Sequence, residues 1–446
     1  MNYFIRNACI INEGQRFTGS LLTEGDRIKA IFRGDCKEPE GKYTLIEAGG
    51  KWLIPGVIDD QVHFREPGLT RKGDIGSESA SGVAGGVTSY MEMPNTQPPT
   101  LSATLLKEKQ DRASETSLAN FSFYIGTSND NFRVLSEVDP ETVCGIKVFM
   151  GSSTGNLLVD NPDTLREIFS QRKLPVAVHC EDEATIRHNL EKYRTLYGDQ
   201  IPPSCHPEIR SEEACYRSSA LAAELAHRYG AHLHLLHLST AKELSLLSNR
   251  SPLEEKQITA EVCVHHLWFD QRDYAKLGNF IKWNPAIKTE RDKEALLEAV
   301  KNQTLDMVAT DHAPHTLEEK QKPYLQAPSG GPLLQHALVM MLELARQGKI
   351  TPEEVIRSMC HHPSTLFKVR ERGFLREGYY ADLVLVDPDA PWEVSRENIL
   401  ARCGWSPLEG ERFHSRVTHT WVNGALVYEQ GILHPENKGR MLQFNR

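Results

Sequence analysis

Six segments of this chain run through apolar, often β-branched residues and then stop in side chains able to hold a metal or an anion. His63 and Arg65 follow Val57-Ile58-Asp59-Asp60-Gln61-Val62, and Asn95 follows Val87–Met93. Lys147 sits inside Cys144–Met150, His179 ends Leu174–His179, His237 ends His232–His237, and Asp311, with His315 shortly after, follows Met307–Thr310. Three histidines and one aspartate are a usable ligand set for Zn²⁺, which accepts neutral imidazole and carboxylate at catalytic sites. Arg65 adds a planar fork matched to a carboxylate.

Each position also has a plainer reading. His179 alone is equally a hydrogen-bonded core histidine. Period-two alternation places His232 and His234 on the face opposite His237, so only one side can reach a common site, and the terminal position selects His237. An ammonium at Lys147 is costly to bury unless paired or neutralised. It either snorkels to a rim or, with its pKa lowered, reacts with CO₂ to give a carbamate that bridges two metals. Asp311, directly after Met307-Val308-Ala309-Thr310, is hard to read as a solvated loop acid.

The elements that must carry these residues alternate strand and helix. Strand candidates are Val57–Val62, Val87–Met93, Phe121–Ile125, Ile146–Met150, Leu174–His179, His232–His237, Ile258–Val262 and Met307–Thr310. Helical patterns such as Thr164–Gln171, Glu208–Tyr229 and Asp292–Val300 lie between them, with Asn161 and Asp292 as caps, and Leu333–Arg346 and Pro352–Cys360 follow. Eight strands with intervening helices predict an α/β fold, a (β/α)8 TIM-like barrel, in which catalytic groups sit at the C-terminal strand ends. Short alternating runs at both ends (Tyr3–Ile11, Ser20–Leu22, Arg27–Phe32, Tyr43–Ile46, then Ala381–Asp387 and Val417–Tyr428) predict a small antiparallel β-domain built from both termini. The Asn423-Gly424 pair marks a hairpin within it. The expected division is 1–51 with 373–446 for the β-domain and 52–372 for the barrel.

Composition excludes several classes. With 446 residues the chain can bury a core without disulfide or metal staples. A net charge of −9 and no Lys/Arg cluster argue against nucleic acid and membrane surfaces. Nine cysteines, an odd number with no C-x-x-C pair, read as reduced thiols of a cytoplasmic protein, Cys180 being a packing neighbour of His179. No apolar run approaches the roughly 18 residues of a membrane span.

Taken together the motifs resemble the cyclic amidohydrolases of the amidohydrolase superfamily, and within them most closely the dihydroorotases of the longer-chain bacterial type. The resemblance rests on Pro55-Gly56-Val57-Ile58-Asp59, His63-Phe64-Arg65-Glu66-Pro67-Gly68, Met93-Pro94-Asn95-Thr96, Val178-His179-Cys180-Glu181-Asp182, His237-Leu238-Ser239-Thr240 and Thr310-Asp311-His312-Ala313-Pro314-His315. It implies zinc, one or two ions per chain. It makes His63 a ligand of one metal, His179 and His237 ligands of the other, carbamylated Lys147 the bridge, and Asp311 both ligand and general acid/base. Arg65, Asn95 and His315 would hold the substrate carboxylate, with Asn284 and the His265-His266 pair as weaker lining candidates. It also implies a small-molecule substrate, a homodimer and association with a transcarbamoylase. One position departs: the usual His-x-His is Gln61-Val62-His63 here, and an amide oxygen is a poorer Zn²⁺ ligand than imidazole. Two other readings follow: a hydantoinase, dihydropyrimidinase or allantoinase type of activity, or a catalytically silent scaffold subunit.

Overall fold

The computed structural model describes residues 1–151 and 157–446. Eight parallel strands succeed one another in the middle of the chain: β1 (Val57–Val62), β2 (Val87–Glu92), β3 (Asn120–Phe123), β4 (Ile146–Met150), β5 (Val176–Cys180), β6 (Leu233–Leu235), β7 (Ile258–Cys263) and β8 (Met307–Ala309). Neighbours pair in parallel from β1 to β3 and from β4 to β8. Two joints close the ring. Ile125–Gly126, which continues the line of β3, pairs with β4, and a Val62–His312 bridge joins β1 to the chain leaving β8. The result is a (β/α)8 barrel.

The helices between strands form where local signals begin them. Asn161 accepts from the Asp163 and Thr164 amides at the start of Pro162–Ser170. Glu290–Lys301 starts two residues earlier than its periodicity indicates, because Thr289 is the cap and Asp292 the reciprocating partner in a capping box. The expected Glu208–Tyr229 helix is broken. His206–Ile209 ends at Arg210, and Ser211 caps a new helix, Glu212–Tyr229, which closes on left-handed Gly230. No described helix is long and apolar enough to cross a membrane.

Both chain ends meet in one sheet beside the barrel. Tyr3–Asn12 pairs antiparallel with Gln15–Glu24, but parallel with Thr44–Glu47 and with Trp52–Pro55, so the sheet is mixed rather than purely antiparallel. Leu383–Asp387 adds antiparallel to Trp52–Pro55, and Arg416–Val422 and Ala425–Glu429 follow as a hairpin around Asn423 and Gly424, both at positive φ. Trp52–Pro55 therefore belongs to the terminal sheet, and the chain crosses into β1 at Gly56. A Cβ there would fall 2.0 Å from Thr88 Oγ1, so the crossing needs glycine.

The barrel interior is layered, as closely packed barrels are. At its floor Ile58, Met91, Tyr124, Ala177, Leu236 and Met307 pack together, plugged by Phe367. Among the buried polar groups of the interior are Asp60 of β1, His234 of β6 and Glu261 of β7, all fully buried, with His234 Nε2 3.2 Å from Asp60 Oδ2 and 3.4 Å from Glu261 Oε2. His234 thus points inward, contrary to the alternation reading, while His232 is exposed. His237 reaches the site only because its backbone turns left-handed, φ 41°, and breaks the alternation. Burial alone would lower the His234 pKa, but its two carboxylate neighbours more than offset this and raise it to about 9. Replacing His234 by Leu leaves two buried carboxylates without a cation. The expected loss is about 3–5 kcal/mol of stability in urea denaturation, and an unchanged midpoint would refute it. The histidine's own contribution is full below its ordinary value of 6.5 and is lost as pH rises through about 9.

Candidate active site

The C-terminal strand ends open into a cavity of about 250 Å³, and Gln61, His63, Arg65, Asn95, Lys147, His179, His237, Asn284, Asp311 and His315 all line it. Larger clefts exist elsewhere, but none gathers these residues. Three of the ten lie in left-handed backbone, Arg65 (φ 71°), His237 (φ 41°) and Asp311 (φ 46°), a conformation that costs of order 1–3 kcal/mol each and persists only where the surroundings impose it. The turn at each strand end aims the side chain over the barrel mouth.

The hydrogen bonds determine which atoms are left for a ligand. His63 Nδ1 is 2.6 Å from Asn95 Oδ1, an acceptor, so the ring proton sits on Nδ1. The bare Nε2 then faces Asp311 Oδ1 at 3.0 Å, two acceptors aimed at one another. His179 repeats the arrangement. Its Nε2 lies 3.1 Å from Glu181 Oε2, which favours the proton there, and its Nδ1 lies 2.9 Å from His237 Nε2. Burial resists the Glu181 charge, but Arg210 and His179 more than offset it and hold the carboxyl down at about 2. Burial also lowers the pKa values of His63, His179 and His237, keeping the imidazoles neutral, the form that binds metal. Converging lone pairs in a buried cavity call for a cation, so the donor set fits a divalent metal. The described residues also include two ligand-type clusters outside this cavity, Asp60 with His234 and Glu261, and Cys263 with His265 and His266.

Lys147 lies between these groups, 1% exposed, with its Nζ 4.6 Å from the centre of the Phe149 ring. Among the described residues no hydrogen bond or ion pair meets its ammonium, and burial lowers its pKa to about 8. Gln61 is buried beside it, its Oε1 accepting from the Cys263 thiol at 3.6 Å.

The other end of the cavity is electropositive. Arg65 is held by Nε donating to the Pro314 carbonyl at 3.0 Å. Lys72 Nζ donates to His315 Nδ1 at 3.0 Å, which places the His315 proton on Nε2, where it meets the Ser329 carbonyl at 3.0 Å. Arg65 Nη2 is also 3.0 Å from that Nε2, so two donors crowd together as they would around an anion. Burial brings Arg65 down only to about 10, so it remains a cation. Asn284 Oδ1 is buried without a partner in the cavity wall.

Some expectations are corrected and some contributors were not foreseen. His265 and His266 do not line the cavity. His265 stacks on Trp283 at 4.3 Å and His266 Nε2 donates to the Pro285 carbonyl at 3.2 Å, so the pair backs the segment that presents Asn284. Two buried lysines went unnoticed. Lys282 donates to the carbonyls of Tyr324 and Ala327, both 2.6 Å, and Lys320 to those of Pro328 (3.0 Å) and Gly330 (2.7 Å). They anchor the wall formed by Pro328, Ser329 and Gly330. Glu181 stands in a motif already visible, two residues after His179, and that spacing was its only signal.

Comparison with known proteins agrees with this geometry. Residues 52–427 match the model of the amidohydrolase family. The chain is 31% identical over 415 residues to a dihydroorotase of Halobacterium salinarum, covering 92% of this chain and 93% of that one. It is 30% identical over 449 residues to a dihydroorotase of Pediococcus pentosaceus, covering 96% and 100%. Among solved structures, an L-hydantoinase (dihydropyrimidinase) from Arthrobacter aurescens superposes with a TM-score of 0.91 at 25% identity, covering 97% of each chain. A dihydropyrimidinase from Brevibacillus agri gives 0.89 at 23% identity over the whole of both chains, a likeness of fold.

Glu181→Gln keeps the side chain's shape but removes the charge that orients His179. Metal affinity, measured by competition with a chelator, should fall about 10–100-fold; an unchanged affinity would show that His179 needs no such partner.

Proposed function

The chain belongs to the amidohydrolase family, and from that premise we propose that it is a metal-dependent cyclic amide hydrolase with the activity of a dihydroorotase. The reaction is the interconversion of L-dihydroorotate and N-carbamoyl-L-aspartate, run toward ring closure in pyrimidine biosynthesis. The observation that carries the proposal is the joining, in one small cavity, of a metal-type donor set to the Arg65 guanidinium, with His315 beside it held from behind by Lys72, which is itself paired with Glu319. A cyclic amide bearing a free carboxylate fits both ends. Hydantoins, dihydropyrimidines and allantoin lack that carboxylate and would leave the Arg65 charge buried without a partner.

In this reading His63, His179, His237 and Asp311 are metal ligands, Lys147 bridges as a carbamate, and zinc is the ion that the imidazole and carboxylate donors suit. When bound, such an ion supplies Lewis acidity, ionising water near neutral pH and polarising a carbonyl. Asp311 accepts the proton released as water adds to the ring carbonyl and returns it to the ring nitrogen as the C–N bond breaks, the two halves of general acid/base catalysis. Arg65 offers its fork to the carboxylate, and Asn95, Asn284 and His315 fix the ring's orientation. Asn95 has a second task, since its Oδ1 holds the His63 proton on Nδ1.

Lys147 supports the carbamate reading because its ammonium is buried and, among the described residues, meets the Phe149 ring but no hydrogen-bond or ion-pair partner. The ammonium first gives a proton to solvent; the neutral amine then adds to the carbon of CO₂, one C=O π bond becoming the carboxylate, and the nitrogen loses a second proton, so that an anion suited to metal would replace the buried cation. Gln61 makes the metal on the His63 side the weaker of the two, because a neutral amide stands where an imidazole would bind. The barrel, 56–372, would carry the chemistry, and 1–55 with 373–446 would form its β-domain, the expected boundary at 52 moving because Trp52–Pro55 pairs in the terminal sheet. A cytoplasmic homodimer, with possible partnership to a transcarbamoylase, completes the proposal.

Metal content and dihydroorotate turnover measured on one preparation test the assignment. Arg65→Met should cut kcat/KM by at least about a thousandfold while leaving metal content unchanged. Near-normal turnover in that variant would sink the assignment, and a metal-free protein inactive after zinc addition would favour a silent scaffold. For Lys147, the expected signature is a carbamyl carbon seen by ¹³C NMR after equilibration with labelled bicarbonate, absent in Lys147→Ala together with activity. Full activity in Lys147→Ala would contradict the bridge.

A further inference from the structure

The barrel's opposite face carries a second cationic cleft that the proposed reaction does not use. It has a volume of about 460 Å³ and lies at the N-terminal rim of β5, β6 and β7. Arg172 and Lys173 stand just before β5, His232 just before β6, and Lys368 ends the helix His362–Phe367 in left-handed backbone, φ 57°. All four are exposed. Among the described residues no carboxylate pairs with Arg172, Lys173 or Lys368. Arg446, also lining the cleft, directs its guanidinium to the carbonyls of Val143 and Cys144, both at 2.7 Å. Lys256 is neutralised by Asp306, and Glu254 is the one acidic side chain in the lining.

The exposed Arg172 side chain lies along the C-terminal end of the helix Glu212–Tyr229. Gly230, which ends the helix Glu212–Tyr229, leaves room for its guanidinium: a Cβ at that position would lie 2.7 Å from Arg172 Nη2. The fork lies beside Gly230, and among the described residues no acceptor takes its donors. Arg172 with Lys173, Lys368 and Arg446 bring cations from three segments around one concave space, which raises the local potential and concentrates anions. A single carboxylate could satisfy one of them; several negative charges are needed to engage all. The volume is that of a small-molecule site, and Leu174, Pro175 and Leu366 give part of its wall an apolar character.

We propose that this cleft binds a multiply phosphorylated small molecule, at a site separate from the catalytic cavity. The two are divided by the length of β5, which begins at the cleft and ends at His179, roughly 15 Å of strand. The phosphate chemistry is common to free polyphosphate and to a nucleotide, and the test distinguishes them.

Calorimetric titration of the full chain with inorganic tripolyphosphate, and separately with a nucleoside triphosphate, should show saturable binding that weakens as salt is raised. Arg172→Ala/Lys173→Ala/Lys368→Ala should weaken it roughly tenfold or more, whereas Arg65→Met, which removes the cation of the catalytic cavity, should leave it intact. Equal affinity for both probes would mean that phosphates alone are read; tighter nucleotide binding would add the apolar wall. No binding of either probe overturns the proposal. So does equal binding by the triple variant, which is also what chelation of a bound metal by the probe would give.

Discussion

The seam between β8 and β1 is the interaction on which the site depends. There the ring of parallel strands closes by main-chain contacts: Val62 bridges to His312, and the His63 amide donates to the His312 carbonyl at 2.7 Å. Side chains reinforce it. The Thr310 amide donates to Asp59 Oδ1 at 3.3 Å, and His312 Nε2 meets Glu78 Oε2 at 2.8 Å, both contacts buried. Because the first and last strands are registered this way, His63 stands against Asp311 and Arg65 against His315, although the members of each pair are about 250 residues apart in the chain. One seam brings a metal-type pair and an anion-type pair to the same opening.

Support for the remaining donors is built from charge rather than apolar packing alone. Glu181, with Arg210 behind it, aligns His179, and Glu261 accepts the His237 amide at 3.1 Å while its other oxygen faces His234. Each of these two buried carboxylates has two partners: Glu181 Oε2 meets both His179 and Arg210, and Glu261 divides its oxygens between the His237 amide and His234. This agrees with the cost of leaving any one charge unpaired inside a barrel. Lys147 and the Arg65 edge open on the cavity.

Much of this was legible in the sequence because parallel barrel strands are buried on both faces and stop abruptly at polar tips. Val57–Val62 before His63 and Met307–Ala309 before Asp311 are such cases. What was hidden depends on departures from regular geometry or on distant partners. His234 was misplaced because alternation fails where His237 turns left-handed. His265 and His266 seemed to be lining because they adjoin a strand end, yet a one-turn helix, Val264–Trp268, carries them behind Trp283. Lys282 and Lys320 gave no signal, since their partners are main-chain oxygens that no side-chain pattern encodes. The parallel pairing of Tyr3–Asn12 with Trp52–Pro55 was equally invisible, because strand direction is decided by the path between strands rather than by the strands themselves.

Those two lysines also bear on how such a cavity changes over evolutionary time. They grip residues 324–330 by carbonyl oxygens, which every amino acid supplies. The course of the wall is therefore set independently of the side chains it displays. Substitutions at positions such as Ser329 can alter the surface met by a ring substrate while the wall stays where it is. A lineage can in this way try new substrates by point mutation without first rebuilding a loop.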